Sequence, residues 1–234
     1  STLDNGMGMS AGFSSTGAGN NYSIAIDTGM GSVAFGETHS SAVDTMDGMP
    51  AGVNTITGTA DLGDYNDGDA AESMGIRYTS PSFNGWTVGV SMGESSANTL
   101  SAPGDRTSSM AVKGSVAGIA LAAGKVDQIG TLGDDTFMTV GYSVAGVSLG
   151  YGNYDSDGDG DSTVIGLNTS IAGLTLGYEM EDWNSGSTAA DQDQTSFSVA
   201  KDLGGMSVTL IYEDTDDGTN VDNQNWAMVY SVGF

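Results

Sequence analysis

The sequence predicts an all-β chain: an antiparallel up-and-down transmembrane β-barrel with 14 strands in its 234 residues. Three observations carry that prediction. Apolar residues alternate with a period of two, the side-chain period of a strand, while helical periodicity is nearly absent. Glycine occurs 37 times, too often for stable helix interiors, against only 3 prolines. One short pattern, an apolar residue, a small residue, Gly and a renewed apolar alternation, recurs as PSFNGWTVGV, GSVAGIALAA, YSVAGVSLGY, TSIAGLTLGY and KDLGGMSVTL.

The glycines of that pattern, Gly85, Gly118, Gly146, Gly173 and Gly205, are spaced by 33, 28, 27 and 32 residues. Such spacing fits two strands, one tight turn and one longer loop. Between the tight turns lie acidic segments: SSANTLSAPGDR, DQIGTLGDD, DSDGDGDS, DWNSGSTAADQDQ and EDTDDGTNVDN. Tight turns at one end and long polar loops at the other describe an asymmetric meander. In chain order the strands are expected over residues 3–14, 20–29, 31–38, 73–80, 86–95, 107–116, 119–127, 135–144, 147–155, 162–171, 174–183, 194–203, 206–214 and 224–234. All belong to a single domain, 1–234, whose rhythm breaks only at residues 37–72, a segment far longer than an ordinary connection.

Composition closes off several classes of function. A net charge of −25, from 30 acidic and 5 basic residues, excludes nucleic acid as a partner. Without cysteine there is neither a disulfide framework nor a thiolate zinc site, and His39 is the only histidine. No nucleophile elbow, Walker loop or dinucleotide fingerprint occurs in a strand-to-helix context, so the chain does not read as an enzyme. No run of 18 apolar residues is present, which excludes a transmembrane helix but not membrane-spanning strands.

Registers read outward from the tight turns separate two faces. Leu174, Leu176, Tyr178 and Met180 oppose Thr175, Gly177, Glu179 and Glu181; Met206, Val208, Leu210 and Tyr212 oppose Ser207, Thr209, Ile211 and Glu213; Trp86, Val88, Val90 and Met92 oppose Thr87, Gly89, Ser91 and Gly93. One face is greasy and the other is mostly small and polar. A wide membrane barrel turns the first toward lipid and the second toward a water-filled lumen. Tyr22, Trp86, Tyr142, Tyr151, Tyr178, Trp183, Tyr212, Trp226, Tyr230 and Phe234 fall mostly near strand ends on the apolar face, as aromatic girdles do.

The terminal NWAMVYSVGF, the hairpins YSVAGVSLGYGNYD and KDLGGMSVTLIYED, and GMGSVAFGETHSSAVDTMDGM ahead of the long acidic segment resemble the Gram-negative general porins, most of all the alphaproteobacterial branch. The resemblance implies an outer-membrane location and an integral barrel of 16 strands in the complete protein, of which this chain lacks the first two. It implies passive diffusion of small hydrophilic solutes and ions, a homotrimer, contacts with the bilayer and lipopolysaccharide, and insertion by the outer-membrane barrel assembly machinery. Tyr230 and the final Phe234 resemble that machinery's signal. Residues 37–72 then correspond to a constriction loop folded into the lumen, carrying Glu37, Asp44, Asp47, Asp61, Asp64, Asp67, Asp69 and Glu72. Strand alternation turns Arg77 and Lys113 toward the same lumen, whereas Lys201 shares a face with Phe197 and Val199 and snorkels. A thin basic wall against many carboxylates predicts cation preference. A barrel acting mainly as an adhesin, phage target or envelope structural protein is the alternative, distinguished by a long loop that projects outward. No cofactor is expected. Asp155, Asp157, Asp159 and Asp161 alternate with glycine and serine in an external loop that could take calcium, although Gly166 stands where an EF-hand needs glutamate.

Overall fold

The tight turns organise the chain. In the computed structural model, Asn84, Ala117, Ala145 and Ala172 have φ of 50°, 51°, 51° and 52°, and each is followed by a glycine of positive φ: Gly85, Gly118, Gly146 and Gly173. Two successive left-handed residues match the twist of the antiparallel strands they join, as in a type I′ turn. The fifth turn uses Gly204 and Gly205, also at positive φ, and is closed by the Leu203 N–H donating to the Met206 carbonyl at 2.8 Å.

The structure describes residues 8–16, 19–36, 42, 43, 45, 46, 75–94, 106–128, 134–157, 160–185, 191–216 and 222–232. They form β1 (Gly8–Thr16), β2 (Gly19–Asp27), β3 (Ser32–Gly36), β4 (Gly75–Thr79), β5 (Thr87–Glu94), β6 (Arg106–Val116), β7 (Ile119–Gln128), β8 (Asp134–Val144), β9 (Val147–Ser156), β10 (Gly160–Ile171), β11 (Leu174–Ser185), β12 (Gln192–Asp202), β13 (Met206–Asp216) and β14 (Asp222–Val232). The order in the sheet is the order in the chain, β1 through β14. Every expected strand is present, with ends moved by a few residues. The hairpin at DSDGDGDS is tighter than expected: β9 runs to Ser156 and β10 begins at Gly160, so Asp155 and Asp161 lie in strands and face each other across the ladder.

The chain divides into two compact units, one of Ser1–Asp47, Asn66–Ser115 and Ala122–Phe137, the other of Gly48–Tyr65, Val116–Leu121 and Met138–Phe234. In the first, Ile26, Val33, Tyr78, Val90 and Met110 form a row across β2 to β6. Its neighbours Ile76 and Met92 are exposed as well. Aromatic rings cover glycines on this apolar face. The Tyr78 hydroxyl donates to the Met30 carbonyl at 2.6 Å while its ring lies over Gly31, and the Trp86 ring lies over Gly114.

In the second unit one row crosses six strands: Leu149, Leu167, Tyr178, Phe197, Tyr212 and Trp226. The Tyr212 and Trp226 rings are 4.7 Å apart at an interplanar angle of 49°, a favourable tilted pair. Toward the long-loop ends this face becomes acidic at Asp182, Asp193 and Asp216, and toward the tight turns it carries Lys201 in a row with Leu174, Val208 and Tyr230. Lys201 therefore stands on the apolar face, as its alternation predicts.

The opposite face is lined by small polar residues but not uniformly. Val126 and Phe137 in the first unit, and Tyr154, Val164 and Ile211 in the second, are buried. Alternation assigns Trp183 to this face too, because it pairs with Ser162 and not with the exposed aromatics. Size is balanced between neighbouring strands: Phe137 occupies the space that a side chain at Gly124 would fill. Near the tight turns the same face carries hydroxyl pairs, Ser143 with Ser148 at 2.8 Å and Ser207 with Ser231 at 2.6 Å.

Alanine at the left-handed position of a turn is strained by contact of its Cβ with the backbone, by about 1–2 kcal/mol, a strain that Asn tolerates better. Ala145→Asn is therefore expected to stabilise the folded chain by up to ~1 kcal/mol in urea unfolding from lipid vesicles. Gly146→Ala should destabilise it, and the opposite signs would show that the turn geometry is wrong.

Candidate functional site

The start of the long segment is seated on the small-residue face. Register places Ala34, Arg77, Ser91 and Ser109 in one row across β3 to β6. Register partners share a face. The Ala42 N–H donates to Ser109 Oγ at 3.0 Å and to Ser91 Oγ at 3.2 Å, and the two hydroxyls are themselves 2.6 Å apart. Farther along the same face of β6, beyond Ala111, Lys113 Nζ donates to the Thr45 carbonyl at 2.9 Å. Between these contacts Ala42, Val43 and Met46 are buried.

Gly89 makes this approach possible. A Cβ there would lie 2.9 Å from the flexible end of Met46, Cε, and 3.1 Å from Ala42 Cβ, so a side chain would require Met46 to turn aside and the segment to give by about a few tenths of an ångström. Within the segment, the Met46 N–H donates to the Val43 carbonyl and Thr45 Oγ1 donates to the Ala42 carbonyl, which closes a short turn. Polar backbone that leaves the ladder is satisfied by wall hydroxyls, a lysine and its own turn, as a buried segment requires.

Of the residues expected at the constriction, Arg77 and Lys113 fall on the face that carries this seat, Arg77 in the row of the two serines. Glu37, Asp44, Asp47, Asp61, Asp64, Asp67, Asp69 and Glu72 lie outside the described residues, as do Asp159 and the terminal Phe234. Tyr230 lies on the exposed apolar face opposite Val208. Asp155 and Asp161 are exposed and directly opposed, and Asp157 follows at the turn. Among the described residues no group of three or more His, Cys, Asp or Glu side chains is placed to hold a metal ion.

Ser91, Ser109 and Gly89 look in sequence like ordinary small lumenal residues, and only the packing of Ala42 and Met46 singles them out. Glu179, Glu181 and Glu213 were legible as lumenal from their alternation, and they bring the acidic charge onto the strands themselves. Ser162 Oγ donates to Glu181 Oε1 at 2.8 Å. Lys125, whose face the alternation leaves open, is engaged by Asp127 Oδ1 at 2.6 Å and Asp134 Oδ2 at 2.8 Å.

No helix among the described residues is long and apolar enough to cross a membrane. A meander with one lipid-compatible face and one polar face that seats an internal segment defines a membrane channel of β-strands. The Gram-negative porin family model matches residues 1–234, and the chain belongs to that family. It is an outer-membrane β-barrel porin, a channel and not an enzyme. Solved structures share its fold. A multiple mutant of Rh. blastica porin is 16% identical, with a TM-score of 0.68 over 98% of this chain and 85% of that one. A porin refined at 1.8 Å resolution is 14% identical, with a TM-score of 0.64 over 95% and 90%. OccK10 of Pseudomonas aeruginosa is 12% identical, with a TM-score of 0.61 over 95% and 75%. No curated protein sequence matches the chain.

The seat is open to a direct check because the chain has no cysteine to compete. Ala42→Cys with Gly89→Cys should form a disulfide under mild oxidation, seen as the loss of two hydrogens in the intact mass, since the two Cβ positions meet. Ala42→Cys with Met110→Cys, on the apolar face, should not. Failure of the first pair in folded protein would remove the seat.

Proposed function

We propose that this porin is a passive diffusion channel for small hydrophilic solutes and ions, that it prefers cations, and that residues 37–72 are its constriction segment. The reading rests on the seat of Ala42: its N–H lies on two wall hydroxyls while Lys113 grips the Thr45 carbonyl. A segment that begins against the polar face favours transport over an adhesin, a phage target or an envelope structural protein, each of which would use a loop that projects outward.

Charge supports the selectivity. The segment contributes Glu37, Asp44, Asp47, Asp61, Asp64, Asp67, Asp69 and Glu72, and the wall adds Glu179, Glu181 and Glu213. Arg77 and Lys113 are the cations of β4 to β6 on the same face, and Lys113 is committed to a backbone carbonyl. Carboxylates that outnumber bases around a narrow aqueous path raise the local concentration of cations and lower that of anions. The channel works as a homotrimer in a bilayer bearing lipopolysaccharide, after insertion by the barrel assembly machinery, with Tyr230 and Phe234 as its terminal signal. The opposed Asp155 and Asp161 give their hairpin a weak calcium affinity of the kind two exposed carboxylates provide.

In planar bilayers under a KCl gradient the zero-current potential should have the sign of a cation-preferring channel. Lys113→Glu should raise the cation-to-anion permeability ratio by a factor of about 2–5, as expected for an interaction of up to ~1 kcal/mol in a water-like dielectric. An anion-selective potential, or no channels, would overturn the proposal.

A further inference from the structure

Glu179, Ser196 and Glu213 are directly opposite one another in the adjacent strands β11, β12 and β13. They share the small-residue face, and all three are buried, at 5%, 7% and 6% exposure. Glu213 stands out within the row, because its Oε1 is fully buried and has no hydrogen-bond partner. A charged oxygen removed from water in that way is costly unless a donor or a cation meets it.

The strands around it cannot supply the charge. There is no lysine, arginine or histidine in β11, β13 or β14. Lys201 of β12 stands on the other face, opposite Leu174 and Val208. One row away, Glu181 adds further negative charge, and its hydrogen bond comes from a neutral serine.

We propose that Glu179, Ser196 and Glu213 form a lumenal binding site for one divalent cation of the calcium class. Adjacent strands are about 4.8 Å apart, so the backbones of the two glutamates are separated by about 10 Å. The short serine between them leaves room for both carboxyl arms to lean inward, and its hydroxyl provides a third oxygen. Two carboxylates balance one divalent charge, whereas a monovalent ion would leave one of them uncompensated. All the ligands are hard oxygens, and calcium accepts the irregular coordination completed by water that such a row offers, where magnesium demands near-octahedral geometry. With two acidic ligands and not the three or more of a dedicated cage, the ion exchanges with the lumen. This inference rests on the channel reading above and deepens it by naming a cation that the wall holds.

The test is calorimetric titration of calcium chloride into the purified porin in neutral detergent at physiological ionic strength, which screens the exposed carboxylates. Wild type is expected to bind one calcium ion per chain that Glu213→Gln either loses or binds about tenfold or more weakly. Ser196→Ala, which keeps both carboxylates, should weaken the same binding severalfold, and heat-shifted gel mobility confirms that each variant is folded. Calcium should raise the unfolding temperature of wild type more than that of Glu213→Gln. Identical calcium binding by wild type and both variants overturns the site. So does a Glu213→Gln variant that is more stable than wild type with an unchanged calcium response, since Glu213 would then be a buried neutral acid. The zero-current potential of wild type in calcium-free KCl reports separately on the channel reading: cation preference there with no variant effect on calcium binding sinks this inference alone.

Discussion

Backbone pairing is the constraint on which everything else in this porin depends. A strand crossing hydrocarbon has no water to satisfy its N–H and C=O groups, so every crossing must be hydrogen-bonded to its neighbours. The fourteen-strand ladder in chain order meets that demand on both edges of β2 to β13. Once the ladder is set, side chains can only alternate between its two faces, and the identity of each residue is read through which solvent that face meets. The rows from Leu149 to Trp226 and from Ile26 to Met110 turn to lipid. The row of Ala34, Arg77, Ser91 and Ser109 turns to the inside.

Small residues on the inner face serve two different ends. Gly89 and the two serines admit a segment that leaves the ladder and still needs its backbone polar groups satisfied, and Ala42 finds them in the wall hydroxyls. Elsewhere the space left by a glycine is filled from the neighbouring strand, as Phe137 does over Gly124. The lipid face uses the same complementarity in reverse, with Tyr78 and Trp86 covering Gly31 and Gly114. At Gly31, Gly89, Gly114 and Gly124 the missing side chain is matched to a bulky partner or an incoming segment, whereas in the tight turns it is the positive φ that glycine supplies.

Much of this was legible because period-two alternation carries face information residue by residue. Gly85, Gly118, Gly146, Gly173 and Gly205 marked the turns, and the registers put Arg77 in a row with Ser91 and Ser109 and Lys201 in a row with Leu174 and Val208. Long-range packing was less visible. Nothing local distinguishes Ser91 or Gly89, which hold the incoming segment, from Ser207 or Gly177, which do not. Ile211, Val164 and Tyr154 read as exceptions to a small polar face until their burial is seen. The hairpin at Asp155 was expected as a loop because aspartate and glycine are turn formers, yet cross-strand pairing carries the ladder through Ser156 and from Gly160.

The central claim is that the two faces of one continuous ladder meet opposite solvents, and a single-cysteine scan in lipid vesicles tests it most directly. Cysteines placed one at a time along β13 from Val208 to Glu213, and along β5 from Val88 to Gly93, would be exposed to a charged, membrane-impermeant thiol reagent. Reaction at Thr209 and at Gly93, both on the small-residue face, with protection at Val208, Leu210, Val90 and Met92, is the predicted outcome. Reaction at the apolar positions with protection at the small ones would contradict the account.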